Sequence, residues 1–216
     1  GEVWGGLREN PGGREAVSEG AVGPDRGKIE IFAYGGGGPM RLCLRPMRVG
    51  DIPEVMKIEV RSFSLPWTED AFVREIEKIP FSRPLVAEEV EGRNGRAGPA
   101  VGGSATGGPA AGGLAIVGYA CWWEVKDECH ITNVTVSPEA RRRGVGKFLM
   151  REILKDARRR GAVRATLEAR NSNGAAVSLY EGFGFSPVAM RKGYYPDNGE
   201  DALVMLMEFS PDGGGV

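Results

Sequence analysis

The chain has 216 residues, with 28 Lys/Arg against 29 Asp/Glu, three cysteines and one histidine. A net charge of −1 excludes a generally basic nucleic-acid binder and an acidic disordered tail. Cys43, Cys121 and Cys129 are too few and too scattered for a disulfide framework or a zinc site, no apolar run reaches the roughly 18 residues of a spanning helix, and no secretory leader is visible, so a reducing cytoplasm is expected.

In chain order, residues 1–39 come first and end in Gly35-Gly36-Gly37-Gly38-Pro39. Of 34 glycines, 12 lie in residues 1–40, 9 in 92–113 and 3 in 213–215, which marks three stretches unable to offset their ordering entropy by burial. Disorder is expected for 1–39 and for the 211–216 tail. Met40 directly precedes the first strand-like run, so it is the expected natural start, with the segment before it a reading-frame extension. Residues 41–46 read as a strand. Asp51 is placed to cap a helix to about Ser62, with Ile52, Val55, Met56 and Val60 on one stripe. Leu65-Pro66-Trp67 breaks it, and Thr68 opens a second helix to about Ile79. Strands are expected at 84–91, 114–125 and 129–137, with the low-complexity tract 92–113 inserted at the tip of the first hairpin. That tract lacks the Gly-Lys-Ser/Thr ending of a phosphate-binding P-loop. A helix over 144–160 stops at Gly161. A strand at 163–168, a helix at 173–182 and strands at 185–191 and 202–209 complete one α/β or α+β domain over residues 40–210.

Two segments carry chemistry. In the first, a strand ends at Pro138, a turn follows, and a helix opens at Arg141-Arg142-Arg143-Gly144-Val145-Gly146. Its glycines permit close backbone approach, and a helix N-terminus with unpaired amides suits a phosphate. Residues 141–160 hold nine Lys/Arg against two acids, part of which reads as a solvated helix face. Direct nucleic-acid binding is not expected there, because no aromatic or base-reading partners accompany the charge. In the second, Glu168 closes a strand whose other residues are mostly apolar, Asn173 is placed to cap the next helix, and Tyr180 lies two turns along it. A structural salt bridge for Glu168 and a core position for Tyr180 are the plain alternatives. Cys129 and His130 are adjacent, but neighbouring strand residues point to opposite faces, so they make no thiol–imidazole dyad.

Arg141-x-x-Gly144-x-Gly146 followed by Asn173-x-x-Ala176-x-x-Leu179-Tyr180-Glu181-x-x-Gly184-Phe185 resembles the signature of GNAT-type N-acetyltransferases. The chain is similar, in particular, to the RimI-like branch, which acetylates the N-terminal alanine of small-subunit ribosomal protein eighteen. Phe63-Ser64-Leu65-Pro66-Trp67-Thr68, Leu167 to Asn173, Arg191-Lys192-Gly193-Tyr194-Tyr195-Pro196 and Glu200-Asp201-Ala202 carry that narrower likeness. It spans about residues 41–209, without the 92–113 tract and without residues 1–39, and differs from the branch at Gly174 and Gly182, which would loosen their helix by about 1 kcal/mol each if interior.

The resemblance implies a mixed, mostly antiparallel sheet of six to seven strands flanked by about four helices. It implies acetyl-coenzyme A as co-substrate, with no metal, its pyrophosphate on the amides of Arg141, Arg142, Arg143, Gly144, Val145 and Gly146 and its pantetheine arm near Asn173. The strand edge at Val134–Val136 would supply the oxyanion contact. Glu168 would be general base and Tyr180 general acid in direct transfer without an acetyl-cysteine. Leu65, Trp67, Tyr194 and Tyr195 would grip a protein N-terminus, that of a ribosomal protein, and the enzyme would act as a monomer or weak dimer away from membranes. Two rivals stand beside this: another acceptor (a different N-terminus, a lysine or a small amine), and a non-catalytic coenzyme A-binding or ribosome-associated module.

Overall fold

The computed structural model describes residues 29–32, 40–90 and 114–210. The tracts 1–28, 33–39, 92–113 and 211–216, on which the expectations of disorder and of an insertion fall, lie outside them. Eight strands form one sheet in the order β1-β2-β3-β4-β5-β6-β8-β7. They are β1 (Ile29–Phe32), β2 (Met40–Pro46), β3 (Leu85–Val90), β4 (Ala115–Val125), β5 (Glu128–Val136), β6 (Arg164–Arg170), β7 (Ser186–Tyr195) and β8 (Glu200–Glu208). All neighbours are antiparallel except β5 and β6. The helices are α1 (Ile52–Ser62), α2 (Glu69–Glu77), α3 (Val145–Arg159) and α4 (Gly174–Glu181).

β2 to β8 are the seven strands expected from the sequence. β1 corrects the expectation for residues 1–39: four residues of that stretch pair with β2, from Ile29↔Cys43 to Phe32↔Met40. The run Ile-Glu-Ile-Phe alternates and is β-branched or aromatic at three positions, a local strand signal that the surrounding glycines mask.

Alternation along the strands sorts two cores. Trp122, Cys129, Ile131, Leu167 and Met205 pack with Phe148, Leu149, Ile153 and Leu154 of α3 on one face. Val86, Tyr119 and Cys121 pack with Ile52, Val55, Ile58 and Phe72 of α1 and α2 on the other. Tyr119 and Cys121 thus face one layer while Ala120 and Trp122 face the other, as a period of two requires.

The helix ends follow local chemistry, with two corrections. Thr68 Oγ1 accepts from the Ala71 amide at 3.2 Å and caps α2. Asp51 does not cap α1: its carboxylate turns back to the Arg48 amide (2.7 Å) and takes a two-pronged pair from Arg45 (2.7 and 2.8 Å). The stronger bidentate cation wins the oxygens. Gly174 and Gly182 sit at the first position and the C-cap of α4, so neither carries the interior-helix penalty expected for them.

At Gly118 on β4, α3 packs directly onto the sheet. A Cβ there would lie 2.9 Å from the Thr135 carbonyl oxygen, 3.1 Å from Val145 Cγ1 and 3.3 Å from Leu149 Cδ1. Gly118→Ala is therefore expected to destabilise the fold by about 1–3 kcal/mol through overpacking, read as a lowered denaturation midpoint.

Candidate active site

The site originates in a defect of the sheet. β4 and β5 pair regularly from Gly118↔Val136 to Cys121↔Asn133, then resume at Trp122↔Ile131, which leaves Thr132 as an extra residue on β5. A bulge of this kind bends and twists its strand. Thr132 Oγ1 donates to the Cys121 carbonyl at 3.0 Å and holds it in place. On the other side of β5, the parallel pairing with β6 runs only from Glu128↔Arg164 to Ile131↔Leu167. It stops at the bulge, although β5 continues to Val136 and β6 to Arg170. The two strands part there and open a cleft of about 830 Å³ through the sheet.

The gap brings both faces of the sheet to one space. Thr166 pairs with His130, and Glu168 lies one pleat further along β6, on the face opposite the Leu167 and Ala169 that pack beneath α3. Tyr180 comes from the α3 face, packed against that core with its ring 6.2 Å from Phe185. Glu168 and Tyr180 both line the cleft, as do Val134, Val136, Arg141, Asn173, Leu65, Trp67, Tyr194 and Tyr195.

Electrostatics separate the two ionisable groups. Glu168 Oε2 meets His130 Nε2 at 3.0 Å, and Oε1 meets Arg191 Nη2 at 3.0 Å. The hydrogen bond from His130, with the nearby His130 and Arg191 charges, holds the Glu168 carboxyl below the usual carboxylate range against an opposing effect of burial. Burial pushes the Tyr180 hydroxyl up to about 12, with Tyr195 adding to it. At neutral pH the cleft therefore presents a carboxylate and a protonated phenol.

The arginine–glycine turn divides its labour. Arg141 faces the cleft, with Nε to the Val136 carbonyl at 3.2 Å and Nη2 to Ser62 Oγ at 3.1 Å. Arg143 turns away to Glu89 on β3 at 3.1 Å, and Arg142 stands exposed with φ of 61°. Gly144 takes φ of 84° at the N-cap of α3, a conformation open to glycine at little cost. A Cβ on Gly146 would meet Leu179 Cδ2 at 3.4 Å and Val136 Cγ2 at 3.7 Å, so the start of α3 lies between the end of β5 and α4. Val145 points its side chain into the core, leaving only its backbone for a ligand. Asn173 Oδ1 accepts from the Ala176 amide at 3.2 Å and caps α4 as expected. The basic end of α3 is a paired surface: Arg159 and Arg160 bind Asp156, and Arg160 reaches Glu124.

The opposite mouth is built from two loops. Glu59 is buried and accepts from the Trp67 amide at 2.8 Å and from the Tyr119 hydroxyl, which fastens the segment after α1 to the core. Asp197, in the β7–β8 turn, accepts from Ser64 across the mouth and from Arg170 Nη2 at 2.8 Å. The Arg170 guanidinium lies 3.9 Å from the centre of the Tyr195 ring.

Sequence reasoning missed four of these groups: His130, Arg191, Glu59 and Asp197. The alternation that separated His130 from Cys129 already placed it off the α3 face, but its partner became legible only with the β5–β6 register. The three cysteines are all buried, and burial holds the Cys121 and Cys129 thiols above their ordinary range, with Cys129 pushed up to about 12. Neither suits a nucleophile at neutral pH.

The model of the acetyltransferase (GNAT) family matches residues 52–185, which is more than half of the chain and spans α1 to the start of β7. The chain belongs to the GNAT acetyltransferase family. Within it the chain is RimI-like. It is 38% identical over 165 residues to a Bacillus subtilis (strain 168) protein provisionally named as a ribosomal protein bS18-alanine N-acetyltransferase, covering 76% of this chain and 94% of that one. The crystal structure of the ribosomal-protein-S18-alanine N-acetyltransferase from Escherichia coli superposes with a TM-score of 0.62 at 26% identity, over 81% of this chain and 98% of that one. A NatC complex bound to a Gag peptide and CoA shares the fold alone, with a TM-score of 0.59 at 17% identity, over 78% of this chain and 99% of that chain. As a GNAT member the chain is an N-acetyltransferase, and the eight-stranded sheet is the GNAT fold with β1 added at its edge.

Proposed function

We propose that this GNAT enzyme acetylates the N-terminal amine of a protein, an alanine end of the ribosomal bS18 type, with acetyl-coenzyme A as donor. The observation that carries the reading is the gap between β5 and β6, lined from one face by the Glu168 carboxylate and from the other by the Tyr180 phenol. The residues present fit the donor. The first-turn amides of α3 have no intrahelical acceptors, the turn is left-handed at Gly144, Arg141 stands at the cleft wall, and the Asn173 side-chain Nδ2 has no acceptor among the described residues. Acetyl-coenzyme A supplies a thioester whose carbonyl is already activated toward an amine.

The chain's own groups do the rest. The unpaired edge of β5 at Val134–Val136 lines the cleft and offers amide donors to a carbonyl oxygen that gains charge. An N-terminal amine has a pKa near 8, so much of it arrives protonated, and the Glu168 side of the cleft takes its proton. The Tyr180 hydroxyl returns one to the departing sulfur. Leu65, Trp67, Tyr194 and Tyr195 form an aromatic and apolar collar at the acceptor mouth, suited to the first residues of an extended chain. No helix among the described residues is long and apolar enough to cross a membrane. With a ribosomal acceptor, the reaction would take place in the cytoplasm.

Acetylation assays on peptides starting with alanine, methionine or serine, on an N-blocked lysine peptide and on spermidine test this. The alanine-ended peptide is expected to show the highest kcat/KM, by about tenfold or more over the lysine peptide and the polyamine. Preference for either of those overturns the acceptor assignment, and donor binding without turnover on any acceptor would favour a non-catalytic module.

A further inference from the structure

We propose that His130 is the group that receives the acceptor's proton, with Glu168 standing behind it as an ionised positioning partner. This rests on the reading of the cleft as an amine-acetylating site and assigns the basic side of that site to a pair instead of to the carboxylate alone.

Both oxygens of Glu168 are occupied, Oε1 by Arg191 and Oε2 by His130, each at 3.0 Å. The carboxylate is only 12% exposed, whereas His130 is 33% exposed and lines the same cleft. To take a proton directly, Glu168 would have to use a remaining lone pair while two charge-assisted bonds hold it in place, and its depressed pKa makes it a weak proton acceptor. His130 meets neither obstacle. An ionised carboxylate only accepts, so Nε2 carries the hydrogen of that bond and Nδ1 holds the ring's lone pair. Nδ1 has no hydrogen-bond partner among the described residues. Imidazole is the side chain that exchanges protons near neutrality, and a carboxylate on its far nitrogen fixes the tautomer and steadies the imidazolium.

The charged groups near the ring come from β6, β7 and α2. Glu168 lies on β6, and Arg191, which reaches Glu168, lies on β7. From β4 the Trp123 ring meets His130 edge-on at 5.8 Å, with Glu75 behind it accepting from Trp123 Nε1 at 2.9 Å. Protons balance as follows. The acceptor ammonium loses one proton to Nδ1, the ring becomes imidazolium, and the freed nitrogen lone pair attacks the thioester carbonyl. The nitrogen's second proton leaves as the amide forms. One proton of the two ends on the departing sulfur by way of Tyr180, and the imidazolium returns the other to solvent.

The test is the pH dependence of kcat from about 5.5 to 9 with both substrates saturating, for the wild type, His130→Gln and His130→Ala. Gln keeps a donor for Glu168 but accepts no proton. His130→Gln is expected to be about tenfold or more slower than the wild type at pH 7, with its rise in activity displaced to higher pH, toward the amine range near 8. Added imidazole should restore part of the His130→Ala rate in proportion to its unprotonated fraction, and acetyl-coenzyme A affinity reports that both variants are folded. If His130→Gln keeps the wild-type profile while Glu168→Gln is slow, Glu168 acts alone and this proposal fails with the acetyltransferase site intact. If the wild type acetylates no amine at all, the reading of the cleft fails and takes this proposal with it.

Discussion

Glu168→Gln is expected to lower kcat at pH 7 by about tenfold or more while leaving acetyl-coenzyme A binding within about twofold of the wild type. The substitution keeps the shape of the side chain and removes its charge. Its amide can accept from either His130 or Arg191, both of which now approach Glu168 at 3.0 Å, but it cannot serve both. The donor end of the cleft, at Arg141, Asn173 and the start of α3, is untouched. The hydrogen bond from His130 is the leading cause of the lowered carboxyl pKa. A group depressed in the folded state contributes stability that is present above its unfolded value, near 4.3, and is lost as pH falls through the folded one. Glu168 is therefore ionised throughout the neutral range, and any acid limb of activity at pH 6–7 belongs to another group. Steady-state kinetics paired with isothermal calorimetry decide the matter, and an unchanged kcat would remove Glu168 from the proton path.

Tyr180→Phe is expected to reduce kcat by about a hundredfold, within the range typical of a lost proton transfer. Only the hydroxyl is removed. The ring contact with Phe185, at 6.2 Å between centres, and the packing beneath α3 remain, so the denaturation midpoint should hardly move. With its pKa pushed up to about 12, Tyr180 keeps its proton through the neutral and mildly alkaline range, so it should add no falling limb below about pH 10. The loss should be larger in kcat than in the KM for either substrate, because the hydroxyl acts on charge that develops as the carbon–sulfur bond breaks. A kcat within about threefold of the wild type would return Tyr180 to a packing role.

Much of this molecule is written locally. Seven strands and four helices follow from alternation, from the apolar Ile52 and Val55 of α1 (Val60, expected on the same stripe, is exposed) and from caps such as Thr68 and Asn173, whose side-chain oxygens accept where their spacing predicts. The turn from Arg141 to Gly146 and the helix it opens are likewise legible, because a positive φ at Gly144 needs glycine and a helix start leaves amides unpaired. Even the separation of Cys129 from His130 is local, since it depends only on the pleat.

Charge competition and long-range register are not local. Asp51 carries the sequence signature of a helix cap, yet Arg45 and the Arg48 amide take its oxygens. Three consecutive arginines look alike in the chain, and only the position of β3 sends Arg143 to Glu89 while Arg141 stays at the cleft. Glu59 reads as a polar residue of α1, but the loop it must hold through Trp67 draws it inside.

The sequence alone determined a mixed α/β chain, because helix starts, pleats and turns depend on residues a few positions apart, and its resemblance to GNAT acetyltransferases singled out Glu168 and Tyr180. Only the tertiary structure decided that a single extra residue at Thr132 parts β5 from β6, that the gap joins the two faces of the sheet, and that His130 and Arg191 close on Glu168 from strands 38 and 23 residues away. Those contacts depend on which strands become neighbours and in what register, which no short-range preference specifies.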